Sequence, residues 1–263
     1  MRYLLGIDVG TSGTKTLLIQ YDGELVASAT SEYELSQPQN GWAEQNPEDW
    51  WNAVKNTIRD VIGKSDIIDV KEIAGIGLTG QMHGLVMLDK DGKVLRPAII
   101  WCDQRTGIQR DELSMRVGAQ RLLRITANPA TTGFTAAKLM WVREHEPHVY
   151  EKCRKILLPK DYIRYRLTGE FATDVSDASG MQMLDVADRC WSPEVLSALE
   201  IDHEILPRVY ESPEVTGCIN RETAESTGLR RGTPVVAGAG DNAAAAVGTG
   251  VVYQGKAFTT IGS

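Results

Sequence analysis

Positive charge is in short supply in this chain. Lys and Arg number 28 against 35 Asp and Glu, a formal net charge of −7, which excludes the usual electrostatic footprint of a nucleic-acid binder. No apolar run reaches the ~20 residues a membrane-spanning helix needs. Uncharged stretches such as residues 125–137 and 242–255 fall short. No secretory leader is expected at the start, since Asp8 interrupts the first apolar run. The four cysteines, Cys102, Cys153, Cys190 and Cys218, form no CxxC pair. Reduced thiols in a cytoplasmic protein are therefore expected. The four histidines show no metal-ligand spacing, and Pro147 separates His145 from His148. Repeats, low-complexity tracts and linkers are absent too. What remains is a chain of 263 residues, 42% hydrophobic and 24% charged. It can bury one large core or two smaller ones and suits a protein handling small molecules.

Residues 2–8 read as a strand, followed by strands at 14–21 and 24–31, with Asp22-Gly23 as the hairpin turn between the last two. Asn46 suits an N-cap and Pro47 the first position of a helix reaching about Gly63. Trp50, Val54, Ile58 and Val61 lie along one face of that helix. A buried strand follows at 73–78, then a hairpin of 85–88 with 94–101 around Asp91-Gly92. Helices are expected at 103–117, 136–145 and 161–167, the last closed by Gly169, with a short strand at 155–158. Residues 233–237 read as a strand that turns through Gly238-Ala239-Gly240 into a helix at 241–247. Another strand begins at 256–261, and periodicity is poor across 176–225. The alternation predicts an α/β fold with a mixed sheet.

Three glycine-rich segments invite a phosphate reading. Gly250 to Ala257 nearly fits a phosphate loop, but Ala257 lacks the hydroxyl for Mg²⁺, so a surface turn fits better. Gly238-Ala239-Gly240 precedes a helix as in dinucleotide sites, yet Asp241 would put a carboxylate where pyrophosphate sits. In Asp8-Val9-Gly10-Thr11-Ser12-Gly13-Thr14, two glycines and three hydroxyls can surround a phosphate, and Asp8 can hold Mg²⁺ through its water shell. The same residues would also make an ordinary hairpin with a capping Asp. Gly80-Gln81-Met82-His83-Gly84 follows a strand. Gln81 and His83 could hydrogen-bond sugar hydroxyls while Met82 packs on a sugar face, or the segment could be a plain structural turn. The combination shifts the balance: one acid for a metal and one for a base is what phosphoryl transfer to a hydroxyl requires.

With these motifs the sequence resembles the FGGY carbohydrate kinases of the actin/hexokinase ATPase superfamily. Gly6-Ile7-Asp8-Val9-Gly10-Thr11-Ser12 is similar to their first phosphate motif, and Gly133 to His145 fits their first signature. Trp42-Ala43-Glu44-Gln45, Gly80 to Gly84, Leu157 to Tyr162 and Ala237 to Ala244 carry the likeness across the chain. It is greatest to members acting on D-xylulose. The resemblance implies an α/β, ribonuclease-H-like lobe with a mixed sheet and helical insertions, and transfer of phosphate from ATP, with Mg²⁺, to D-xylulose. It implies Asp241 as the catalytic base, kept ionised by the helix start, and Asp8 as a second acid important for activity. Met82, His83 and Gln81 would bind the sugar, with Trp101, Asp103 and Asn242 beside it. Gly10, Thr11, Ser12 and Gly13 would form the phosphate hairpin.

Family members are about twice as long, so residues 1–263 are expected to be the sugar-binding N-terminal lobe without the nucleotide-binding one. That lobe alone is expected to be inactive. Its surface over 243–263 should be apolar and prone to self-association, as in a homodimer. A kinase of another ketose, polyol or sugar acid, and a non-catalytic sugar-binding or assembly module, are the rival readings. No nucleic acid or membrane partner is expected.

Overall fold

The computed structural model describes residues 3–65 and 69–259. Among these, a seven-stranded sheet organises the molecule. Its strands are β1 (Tyr3–Val9), β2 (Gly13–Gln20), β3 (Leu25–Glu32), β4 (Ile73–Gly80), β5 (Val215–Cys218), β6 (Pro234–Val236) and β7 (Ala239–Gly240). The order is β5-β6-β4-β1-β2-β3, with β7 also paired to β4. β1, β2 and β3 form an antiparallel meander, and β4 runs parallel to β1, β6 and β7. This is the mixed, ribonuclease-H-like sheet the resemblance implied. Gly23 makes the β2–β3 turn at φ +94°, a conformation costly for side chains with a Cβ.

Helix α1 (Pro47–Lys64) starts as the sequence dictates. The Asn46 side chain accepts from the Glu48 N–H, and Pro47 occupies the first turn, where its missing donor costs nothing. Trp50, Val54, Ile58 and Val61 are all buried in the sheet-side core with Leu5 and Leu18. A second core, around Leu113, Met140, Met181 and Trp191, lies among the helices inserted between β4 and β5.

The inserted region departs most from expectation. Helix α2 spans Gly107–Val117 rather than beginning at Asp103, because Asp103 and Arg105 are drawn into a buried ion pair of 2.7 Å. Gly118 ends it, and an unanticipated helix, α3 (Ala119–Thr126), follows. Helix α4 is Thr135–His145. Pro147 does not simply stop it but opens a further turn, Pro147–Tyr150. The expected hairpin around Asp91-Gly92 is joined only by the isolated bridges Leu85↔Ile99 and Leu88↔Val94. Its two arms find other partners: Val86–Leu88 pairs with Lys155–Leu157, and Ala98–Ile99 with Glu44–Gln45. Pro97, which has no N–H, cannot continue that ladder. Helix α5 is Pro159–Thr168, with Gly169 at φ +88° as its C-cap.

Helix α6 (Asp241–Gly248) follows β7. Residues 256–259 form no strand, and the rest of that expected strand lies outside the described residues. The segment holding Gly250 to Ala257 is mostly exposed turn and coil, as the sequence suggested. Val247, Val252 and Tyr253 are exposed there, so an apolar surface exists near the end of the described chain. Among the described residues no helix is long and apolar enough to cross a membrane.

Candidate active site

The carboxyl ends of β1, β4 and β7 lie side by side. On one flank of β4, Asp8 is level with Thr79 and Val9 with Gly80. On the other, Ala239 is level with Thr79 and Gly240 with Gly80. Adjacent strands are about 4.8 Å apart, so Asp8 and the residue following Gly240, Asp241, straddle the end of β4 by roughly two strand spacings. Gln81, Met82 and His83 leave the strand between them. This is the carboxyl end of the sheet's parallel strands, where α/β proteins bind ligands.

Both acids are tuned towards holding a proton. Burial raises the Asp8 carboxyl above the usual range, the charge of Asp241 raises it further, and Lys15 opposes. Oδ1 of Asp8 is buried without a hydrogen-bond partner, as is Oγ1 of Thr79 beside it. For Asp241, burial raises the carboxyl while the Asn242 N–H, at 2.7 Å, lowers it. The helix N–H thus favours the carboxylate, as the helix start suggested, while burial acts against it and is the larger effect.

Gly10, Thr11, Ser12 and Gly13 form the turn from β1 to β2, closed by Gly10 N–H to the Gly13 carbonyl at 3.1 Å. The indole of Trp101 donates to Thr11 Oγ1 at 2.9 Å, which sets this half-exposed ring over the hairpin. Gln81 also has a bracing role that its sequence neighbours do not suggest, while its Oε1 is left without a hydrogen-bond partner. Its Nε2 donates to the Gly10 carbonyl (3.2 Å) and to Gln45 Oε1 (2.9 Å), so it braces the hairpin. The expectation for Asp103 is corrected. It is fully buried, and its carboxylate accepts from the Ala43 N–H (2.6 Å) and from Arg105, so it supports the Trp101 segment and does not face a sugar.

Met82 packs its sulfur against Gly240, where a Cβ would come within 2.9 Å of it, and Asn242 Nδ2 is 4.0 Å from the same sulfur. These contacts bring Met82, Asn242 and Asp241 together. His83 holds the left-handed conformation, φ +67°, which is uncommon outside glycine. Its carbonyl accepts from Thr135 Oγ1 (3.2 Å) and Lys138 Nζ (2.8 Å), and its ring stacks on Phe134 at 3.9 Å. Nδ1 donates to the Gly180 carbonyl at 3.1 Å, since a carbonyl can only accept. Burial, the largest cause, pushes its pKa down to about 4. The ring is therefore neutral near pH 7, with Nε2 left as an acceptor. Gly180 admits this packing, because a Cβ there would lie 2.3 Å from His83 Nδ1.

Lys138 is fully buried, and burial pushes its pKa down to about 7. A neutral amine has two N–H donors, matching its two carbonyl acceptors on His83 and on Gly133 at 2.6 Å.

Behind Asp241 lies a buried charge cluster. The Gly240 N–H donates to Ser176 Oγ (3.2 Å), which donates to Asp174 Oδ2 (2.6 Å). Asp174 is 2.9 Å from Lys160, which is also 2.7 Å from Asp161 and 3.5 Å from Asp177. Arg164 is 3.7 Å from Asp161. Burial alone would lower the lysine's pKa, but the three aspartates together raise it. Both Asp177 oxygens lack a hydrogen-bond partner, and burial first, opposed by Lys160 and aided by Asp161, Asp174 and Asp241, holds its carboxyl well above the ordinary range. Three acids face two cations, and Asp177 is the acid whose surroundings favour the protonated form. Phe134, Lys138, Gly180 and this cluster carried no separate signal as site components in the sequence.

A family model, the N-terminal domain of the FGGY family of carbohydrate kinases, matches residues 3–248. The xylulose kinase of Escherichia coli K12 is 45% identical over 259 residues, 98% of this chain and 52% of that protein. The xylulose kinase of Bacillus subtilis 168 is 41% identical over 263 residues, 100% of this chain and 52% of its own. The crystal structure of xylulose kinase from Rhodospirillum rubrum superposes with a TM-score of 0.92 at 32% identity, covering 97% of this chain and 52% of that one. The chain thus spans about half the length of the curated relatives it matches. The sheet is that of the actin/hexokinase ATPase fold, and the chain belongs to the FGGY family of carbohydrate kinases.

Proposed function

We propose that residues 1–263 form the sugar-side lobe of a kinase that phosphorylates D-xylulose with ATP, giving D-xylulose 5-phosphate and ADP. The observation that carries this reading is the register of β1, β4 and β7, which sets Asp8 and Asp241 on either side of the Gln81-Met82-His83 turn. In the reaction, the sugar's primary hydroxyl gives its proton to the Asp241 carboxylate as its oxygen attacks the γ-phosphate. Burial favours the protonated product of that step at Asp241. Neutral His83 offers Nε2 to a sugar hydroxyl. A sugar unable to fill that acceptor would leave a desolvated group unpaired, which is how such a site discriminates. Met82, against Gly240 and Asn242, would offer the sugar an apolar face. The orphaned Asp8 Oδ1 fits a hydrated Mg²⁺, which needs only one or two carboxylates when substrate phosphates supply the rest. When bound, Mg²⁺ would neutralise charge on the phosphate oxygens. A cytoplasmic setting accords with this chemistry.

The test is sugar-dependent ADP release by the complete gene product across ketoses, polyols and sugar acids, with Asp241→Asn alongside. D-Xylulose should be the best substrate. The variant should lose about 10²- to 10⁴-fold in kcat while still binding sugar. A loss below about tenfold would remove Asp241 from the role of base.

A further inference from the structure

Gln45 lies outside the acids and the sugar turn, yet its side chain reaches the hairpin. It is 2% exposed and ends the short strand Glu44–Gln45 just before α1. Its amide can sit only one way round. The Trp50 indole N–H, a pure donor, points at Oε1 from 3.1 Å, so Oε1 must accept and Nε2 must face the other way. There Nε2 donates to the Thr11 carbonyl at 2.8 Å and lies 3.4 Å from the Glu34 carbonyl. One residue earlier, the Gly10 carbonyl accepts from Tyr33 Oη (2.6 Å) and Gln81 Nε2 (3.2 Å).

A trans peptide holds its C=O and the next N–H on opposite sides. Pulling the Gly10 and Thr11 carbonyls into the protein therefore turns the N–H groups of Thr11 and Ser12 out of it. Among the described residues neither N–H has a protein acceptor. Two adjacent, outward N–H groups next to Asp8 suit a phosphate oxygen. We propose that Gln45, set by Trp50, is a positioning residue that orients the Thr11–Ser12 peptide for the nucleotide's phosphates. This rests on the phosphoryl-transfer reading above.

Gln45→Glu in the complete gene product is the direct test. The carboxylate can still accept from Trp50 and Gln81 but has no N–H for the Thr11 carbonyl. Calorimetry should show ATP·Mg binding weakened about tenfold, the worth of one such hydrogen bond. KM for ATP should rise while KM for the sugar holds within about twofold, and the thermal midpoint reports folding. If the Glu variant does not fold, uncharged Gln45→Met carries the same comparison. In the unsubstituted protein, hydrogen exchange should find the Thr11 and Ser12 amides unprotected, then protected when ATP·Mg is added. Unchanged ATP affinity, an equal loss for ATP and sugar, or no protection of these amides would overturn the proposal. ATP binding with these signatures but no ADP release with any sugar would instead refute the phosphoryl-transfer reading and leave the positioning role standing.

Discussion

The two acids of the cleft rest on supports of opposite chemistry. Under Asp8 and its hairpin the braces are neutral: Trp50, Gln45, Gln81 and Tyr33 pass hydrogen bonds from donor to acceptor. Under Asp241 they are ionic, running from Gly240 through Ser176 and Asp174 to Lys160. A neutral network stays satisfied at any ordinary pH. A buried cluster of three acids and two cations is held by mutual attraction against a large desolvation cost, and at Asp177 burial favours the protonated form. The hairpin's support should therefore be modest in energy and indifferent to pH, and the base's support strong, brittle and titratable.

Removing the ammonium breaks the ionic support most severely. Lys160→Met leaves Asp161, Asp174 and Asp177 buried around an uncharged chain. It should cost about 3–5 kcal/mol by chemical denaturation, or prevent folding. A loss under about 1 kcal/mol would show that the cluster is wetter and weaker than its burial implies.

Asp177→Asn probes the proton. Because the folded-state pKa of Asp177 is raised, the folded protein holds a proton that the unfolded chain releases above the ordinary value of 3.8. Its stabilising contribution is complete below that value and is lost as pH rises towards the raised pKa. Asn mimics the protonated acid and removes the dependence. Wild-type stability should therefore fall relative to the variant as pH rises, by at most about 1.4 kcal/mol per pH unit, the limit for one proton. Parallel stability curves across pH 4–8 would mean that Asp177 does not hold the proton.

The smallest effect belongs to the neutral support. Trp50→Phe removes one indole N–H and part of a buried ring but leaves Gln45 Oε1 bonded to Gln81. A cost of about 2 kcal/mol, unchanged from pH 5 to 8, is expected. A pH-dependent cost would erase the contrast between the two supports.

The same contrast separates what was legible in the sequence from what was not. β1, β2, β3 and α1 were visible because period-two alternation, Asp22-Gly23 and the Asn46-Pro47 start are local signals. The positions of Asp8, the hairpin and Asp241 followed from glycines beside strand ends. The bracing role of Gln81 was not visible because its partner, Gln45, lies 36 residues away, a separation that no local pattern reports. Asp103 was misread for the same reason, since the Ala43 N–H that it binds is 60 residues distant. Lys138 resembled any helix residue, although burial pushes its pKa down to about 7. Gly180 fell in the stretch of weak periodicity, where short elements pack by contacts with other parts of the chain.

The alignment of Asp8 and Ala239 on Thr79 has a consequence for length changes in the gene. β4 acts as a ruler: the eight residues from Ile73 to Gly80 fix how far the sugar turn projects past both neighbours. Deleting one would draw Gln81 to His83 back by about 3.3 Å and reverse which side chains face the core. At the exposed Asp22-Gly23 tip an inserted residue disturbs only a loop. Insertions and deletions should therefore be tolerated at the meander's outer end and nearly forbidden in β4, even where every side chain of the cleft is retained.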